Sequence, residues 1–152
     1  MARIRCKTLL ELRAVAEADC ANLLGGSIAD YVKDTLLDHI GKDIYDKYTP
    51  VDGGYQRRTI FGMSGGDFIV SEVNNLVLSV KDTTPGNTPI GDGYTPSGTQ
   101  LMEIIETGAQ GHGKGYWKNA FARPALSNAR AEVEKGDKIK SILKNFYGSR
   151  LQ

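Results

Sequence analysis

The residues of this chain that resemble chemical machinery are few. The strongest pattern is Gly108-Ala-Gln-Gly-His-Gly-Lys-Gly115, which matches the Walker spacing through Gly108, Gly113 and Lys114. It fails at the next position. A phosphate-binding loop of that type needs Ser or Thr there to hold Mg²⁺, and Gly115 has no side chain. Such a loop also needs a parallel sheet around it, and the residues after Gly115 read as helix with no strand to carry an acidic Mg²⁺ partner. The segment is expected to be a loop, with Lys114 a solvent-facing cation.

The remaining candidates are as sparse. His39 and His112 are the only histidines, and neither has neighbours at metal-ligand spacing. His39, beside Ile40 in a helical pattern, is expected to be a partly exposed filler. Cys6 and Cys20 do not form a zinc knuckle or a disulfide framework and read as free thiols in a reducing compartment. Glu103 and Glu106 lie one helical turn apart, but an enzymatic pocket built on them and His112 would lack a positioned base, nucleophile and oxyanion donor. No catalytic constellation, cofactor site or metal site is expected.

Aromatic and basic residues alternate in Tyr116-Trp117-Lys118 and Phe121-Ala122-Arg123, a pattern able to stack on bases and touch phosphates. Trp117 and Phe121, four apart, would share one helix face, and packing in the core or between subunits is the commoner use of such a pair. Arg57 and Arg58 are adjacent on an expected strand, so they point to opposite faces.

Charge is distributed unevenly along the 152 residues, although the whole chain carries only +1. Residues 1–49 sum to −1, residues 50–111 to −4 and residues 112–152 to +6. The global field is too weak to imply a nucleic-acid or membrane partner, so such a role would have to rest on a local patch. The opening Met-Ala-Arg-Ile-Arg imitates a basic n-region, but Glu11, Arg13, Glu17 and Asp19 interrupt any apolar stretch after it. Neither a signal peptide nor a membrane segment is expected.

The elements that must position these residues emerge from periodicity. Leu9, Leu12, Val15, Ala16 and Leu23 recur at helical spacing, up to Gly25-Gly26. Ser27 offers an N-cap, and Ile28, Tyr31, Val32, Leu36, Ile40, Ile44 and Tyr48 continue a stripe that Thr49-Pro50 should end. The first third is therefore a helical pair, or one long helix broken at the glycines. Period two then takes over. Residues 68–81 read as a hairpin turning at Asn74-Asn75, with Val73 facing Leu76, Ser71 facing Leu78 and Ile69 facing Val80. A further strand is expected near residues 56–61.

Residues 82–115 are rich in Gly and Pro and read as a long loop, regular only near Leu101 to Glu106. A final helix is expected from Arg123-Pro124 onward, through Leu126, Ala129, Val133, Ile139, Ile142, Leu143 and Phe146, interrupted or restarted at Gly136-Asp137. The sum is one α+β domain over residues 1–152. A small antiparallel sheet packs against a long N-terminal helix and a C-terminal helix.

Three stretches occur in a telling order: Thr49-Pro-Val-Asp-Gly-Gly-Tyr-Gln-Arg-Arg-Thr-Ile60, Ile104-Ile-Glu-Thr-Gly-Ala109 and Trp117-Lys-Asn-Ala-Phe-Ala-Arg-Pro-Ala-Leu126. In this the chain resembles the tail-completion or neck proteins of tailed bacteriophages, often labelled minor tail components, over about residues 27 to 147. That family's pattern is a long helix ending in a Pro-Val step, an arginine-bearing strand, a Glu-x-Gly turn and a Pro-Ala-Leu helix. This sequence departs from it at Tyr55-Gln56, where a small residue and leucine are usual, and in the glycine content of residues 82–97.

The resemblance implies a structural, non-enzymatic subunit without cofactors. It would form a homo-oligomeric ring at the head-tail junction of the virion, after synthesis in the host bacterial cytoplasm. Its partners would be copies of itself, the portal or adaptor on one side and the tail-tube or tail-terminator protein on the other. Genomic DNA would pass through the lumen without sequence-specific binding, and no membrane is involved. Subunit or partner contacts are expected at Arg57, Arg58, Tyr94, Glu106, Trp117, Phe121 and Arg123. The opposite polarity of the middle and the end of the chain suits a contact in which one face meets a different face of the next copy. A competing expectation is a small nucleic-acid-binding protein whose phosphate-contacting face is Lys114, Lys118, Arg123, Arg130, Lys138, Lys140 and Lys144.

Overall fold

A computed structural model describes residues 6–47, 69–83, Glu106 and 123–148. The expected strand near residues 56–61 and the stretches 84–105 and 107–122 lie outside the described residues.

Helix α1 spans Leu9–Leu23 and starts at a reciprocal cap. The Thr8 hydroxyl accepts the Glu11 N–H at 3.1 Å, and the Glu11 carboxylate accepts the Lys7 N–H at 2.6 Å. Two amide donors at the helix start, which have no partner within the helix, are thereby satisfied. The helical course breaks at the glycines. The chain kinks in the Leu24–Ile28 turn, where Gly26 leaves helical geometry at φ −111 and ψ −113, and resumes as α2, Ala29–His39. The second of the two sequence expectations, one helix broken at the glycines, describes the chain. Ser27 does not cap α2; Ile28 stands at that position without a side-chain cap.

A π-type turn, Ile40–Tyr45, ends the helical course before Thr49-Pro50 is reached. π-type turns place an extra residue in each turn. Here Asp43, Ile44 and Tyr45 are all buried in succession, together with Ile40.

Strands β1, Ile69–Asn74, and β2, Val77–Asp82, form the two-stranded antiparallel hairpin that the alternation predicted. Its turn is Asn75-Leu76, with φ of +49 and +61, and its pairs run from Ile69↔Asp82 to Asn74↔Val77. Each residue's partner is thus displaced by two from the expected register, and Asp82 closes the ladder instead of opening the loop. A slip of two keeps every side chain on its expected face, since the side-chain period is also two. The observed ladder sets Val80 opposite Ser71 and Ile69 opposite Asp82, and Val80 and Ile69 both reach the core.

After Pro124 comes α3, Ala125–Lys135. Gly136 ends it in the left-handed conformation, φ +73, with its N–H bonded to the Val133 carbonyl at 3.0 Å. A side chain is strained at that angle, which is why glycine serves there. Helix α4, Asp137–Gly148, comes directly after it. The restart expected at Gly136-Asp137 is what the chain does.

The core is where these elements converge. Leu36, Ile40, Ile44, Tyr45, Ile69, Ala125 and Ala129 form one buried cluster, with Leu37 and Val80 packed against it. Ala125 and Ala129, four apart, present almost no side chain, so α3 lies close against α2. The hairpin covers another side of α2 and the Leu24–Ile28 turn. The architecture is α+β and mostly helical.

Ile40 is fully buried and Leu10 is exposed. Ile40→Ala should cost about 3 kcal/mol of stability by urea denaturation, from the cavity it leaves, and Leu10→Ala less than about 0.5 kcal/mol. Leu76→Gly should instead gain about 1 kcal/mol, because it relieves a left-handed leucine at an exposed hairpin corner.

Candidate functional site

The densest concentration of polar chemistry among the described residues joins the end of α2 to α3. Asp43, in the Ile40–Tyr45 turn, is buried to 6% exposure yet carries a carboxylate. Removing a charge from water is costly unless donors surround it. Asp43 has three. Its Oδ2 accepts from Asn128 Nδ2 at 2.9 Å and lies 2.8 Å from His39 Nδ1, and its Oδ1 accepts from Lys47 Nζ at 2.6 Å. The Asn128 and Lys47 hydrogen bonds hold this carboxyl far below its ordinary value of 3.8, against the opposing effect of burial, with His39 adding to the same direction.

His39 bridges two carboxylates. Its Nδ1 faces Asp43, and its Nε2 lies 3.1 Å from Glu132 Oε2 on α3. Burial disfavours the charged ring, but the hydrogen bonds to Asp43 and Glu132 outweigh it and raise the pKa above 6.5. The expected role of His39 as a filler is therefore corrected: it is a polar tie between α2 and α3. Its spacing to Asp43, one turn on, was legible in the sequence, whereas the Glu132 contact, 93 residues away, was not. A histidine with both ring nitrogens committed to carboxylates has neither nitrogen left for a substrate. This geometry fastens helices.

A second tie uses Glu106. Its carboxylate accepts the Leu126 N–H at 3.0 Å and the Ser127 N–H at 2.9 Å, capping the start of α3. A negative charge belongs there, opposite the positive end of the helix dipole and its unpaired amides. Glu106, expected at a subunit contact, thus has both carboxylate oxygens engaged within its own chain. Arg123 is half-buried just ahead of α3, and its carbonyl accepts the Ala125 N–H at 2.8 Å. Arg57, Arg58, Tyr94, Trp117 and Phe121 lie outside the described residues, as do Glu103, His112, Lys114 and Lys118.

Of the basic residues considered for nucleic acid, Arg130 is paired with Glu134 at 2.7 Å, and Lys140 lies 3.7 Å from Asp137. Lys138 and Lys144 are exposed on α4. Cys6 and Cys20 are free and half-buried. Among the described residues no group of His, Cys, Asp or Glu could hold a metal ion, and no helix is long and apolar enough to cross a membrane.

The two titrations of the clamp define a pH window. The raised His39 pKa contributes stability that is complete below 6.5 and lost as pH rises through the folded value. The lowered Asp43 pKa contributes stability present above 3.8 and lost as pH falls towards the folded value. His39→Gln should therefore lower the thermal midpoint most between those limits. The gap to the unsubstituted protein should narrow as pH rises above 6.5, as read by circular dichroism melts across a pH series.

No curated protein and no solved structure gives a significant match to the chain. The YomN family matches residues 8–149, nearly the full length, and this match suggests a bacteriophage-associated origin. The clamp residues, the Glu106 cap and every described helix and strand fall within the matched span, and the chain belongs to the YomN family.

Proposed function

We propose that the chain is a structural virion protein that forms a ring at the phage head-tail junction, a neck or tail-completion subunit joining the portal or adaptor to the tail tube. The observation that carries this reading is the physical linkage of two of the motifs behind the resemblance. Glu106, in the Ile104–Ala109 motif, caps the helix that opens at the Pro-Ala-Leu of the Trp117–Leu126 motif. Those motifs then act as one structural unit, in which the glutamate sets where the helix begins. The family match supports a phage setting. The described polar cluster also favours a structural part over an enzyme, since its histidine is spent on holding helices together.

In this reading the subunit works by shape and charge. The −4 middle of one copy faces the +6 end of the next, a head-to-tail contact that closes into a ring when the rotation between copies divides the circle. DNA passes through the lumen held by no base-specific contact. A second reading, a small nucleic-acid-binding protein, draws on the exposed lysines of α4.

Co-expression with the portal or adaptor and the tail-tube protein, followed by negative-stain imaging, should show rings or a collar containing this chain. Solitary particles under those conditions would sink the assembly reading. If the chain also bound duplex DNA with an affinity that fell steeply from low to physiological salt, the nucleic-acid reading would replace it.

A further inference from the structure

His39 presents a carboxylate to each of its ring nitrogens, Asp43 at 2.8 Å from Nδ1 and Glu132 at 3.1 Å from Nε2. Both are hydrogen-bond distances, and an ionised carboxylate can only accept. Each nitrogen must therefore bring a proton, so the arrangement is complete only when the ring is an imidazolium. A neutral imidazole has one N–H and one lone pair, and that lone pair would stand against a carboxylate oxygen.

The two contacts differ in what replaces them. Asp43 is buried and its charge has to be met by donors inside the protein, so it keeps the ring N–H that faces it along with Asn128 and Lys47. The Glu132 side chain is 48% exposed, and water can take over from the ring. Other charges around this cluster are already engaged. Lys42 is held by Asp38 and Lys47 by Asp43 on the course of α2 and the turn after it, while on α3 Arg130 pairs with Glu134 and Lys135 is exposed. The hairpin covers another side of α2 and carries Glu72, Lys81 and Asp82, but both ring nitrogens are taken by Asp43 and Glu132. The proton on Nε2 is thus the one that leaves first.

The two halves of α3 depend on that proton to different degrees. Ala125 and Ala129 are buried in the core and Asn128 bonds to Asp43, so the first half is fastened without Glu132. Past Ala129 no residue of α3 is buried, and the one that is half-buried is Val133. Helix α4 follows and buries none of its side chains. We infer that the Nε2 proton of His39 is a latch for residues 130–135: with it, Glu132 ties the second half of α3 to α2; without it, Glu132 turns to water and that half opens while the first half stays docked. The latch is shut below pH 6.5 and released as pH rises through the folded value of His39, because a raised pKa marks stability that the protonated ring supplies.

Nuclear magnetic resonance on the full chain, from about pH 5.5 to about pH 8.5, tests this with two readouts. The imidazole nitrogen resonances of His39 should show both nitrogens protonated at the acid end and Nδ1 alone protonated at the alkaline end. Amide exchange of residues 131–135, divided by the intrinsic rate at each pH, should report a protection that falls about fivefold as His39 titrates, the scale of a half-exposed charge pair. Small additions of urea should leave that exchange unchanged, as for a local opening, whereas Leu36 and Ile40 should exchange only through urea-sensitive global unfolding. Glu132→Gln is the decisive variant. Its amide can accept from a protonated Nε2 and donate to a bare one, so the pH-dependent loss of protection over residues 131–135 should disappear.

Four results would each overturn the latch: a neutral His39 that keeps its proton on Nε2, protection over residues 131–135 that ignores the titration of His39, exchange of those residues only together with Leu36 and Ile40, or the same pH-dependent loss in Glu132→Gln as in the unsubstituted protein.

Discussion

The fold depends on how one buried carboxylate is kept charged. Asp43 sits among Ile40, Ile44 and Tyr45 at the point where α2 ends and α3 crosses it. An isolated charge in that position would be expelled to water or neutralised. It is retained because the donors come from both sides: His39 and Lys47 from its own helical course, and Asn128 from α3. The requirement is geometric as well as electrostatic. α3 can approach α2 only in the register that brings Asn128 to Asp43 and Glu132 to His39, and the same register seats Ala125 and Ala129 on Ile40's cluster. Apolar packing supplies the bulk of the stabilisation, and the polar clamp selects which way the helices meet.

That division leaves a molecule with a firm centre and incomplete edges. The centre is Leu36 to Tyr45, the inner face of the hairpin and the first half of α3. Away from it, α1 extends past its last buried residue and α4 buries none of its side chains. Among the described residues, some apolar side chains lie on the outer faces of helices, Leu9, Leu10 and Leu12 on α1 and Leu126 on α3.

Several features are legible in the amino-acid order alone. The alternation of residues 69–82 yields a hairpin, and the faces of its residues hold even though the register moves by two, because the side-chain period divides the slip. The helical spacing of Leu9 to Leu23 yields α1, and Thr8 with Glu11 three residues on carries its cap. Gly136 announces the break between α3 and α4. Each of these is a local matter, settled within a few residues by backbone preference and side-chain periodicity.

The order of residues could not show which distant side chains share a site. His39 looks inert in sequence and becomes a bridge only when Glu132 arrives on α3; Glu106 looks like half of an acidic pair and becomes the cap of a helix twenty residues away. The corner at Asn75-Leu76 runs against local preference, since it holds a leucine in the left-handed conformation. By itself the sequence determined the elements and their faces, because periodicity and capping act over one or two turns. Only the tertiary structure decided the partners, because burying Asp43 and closing the core under α2 are properties of segments brought together from far apart in the chain.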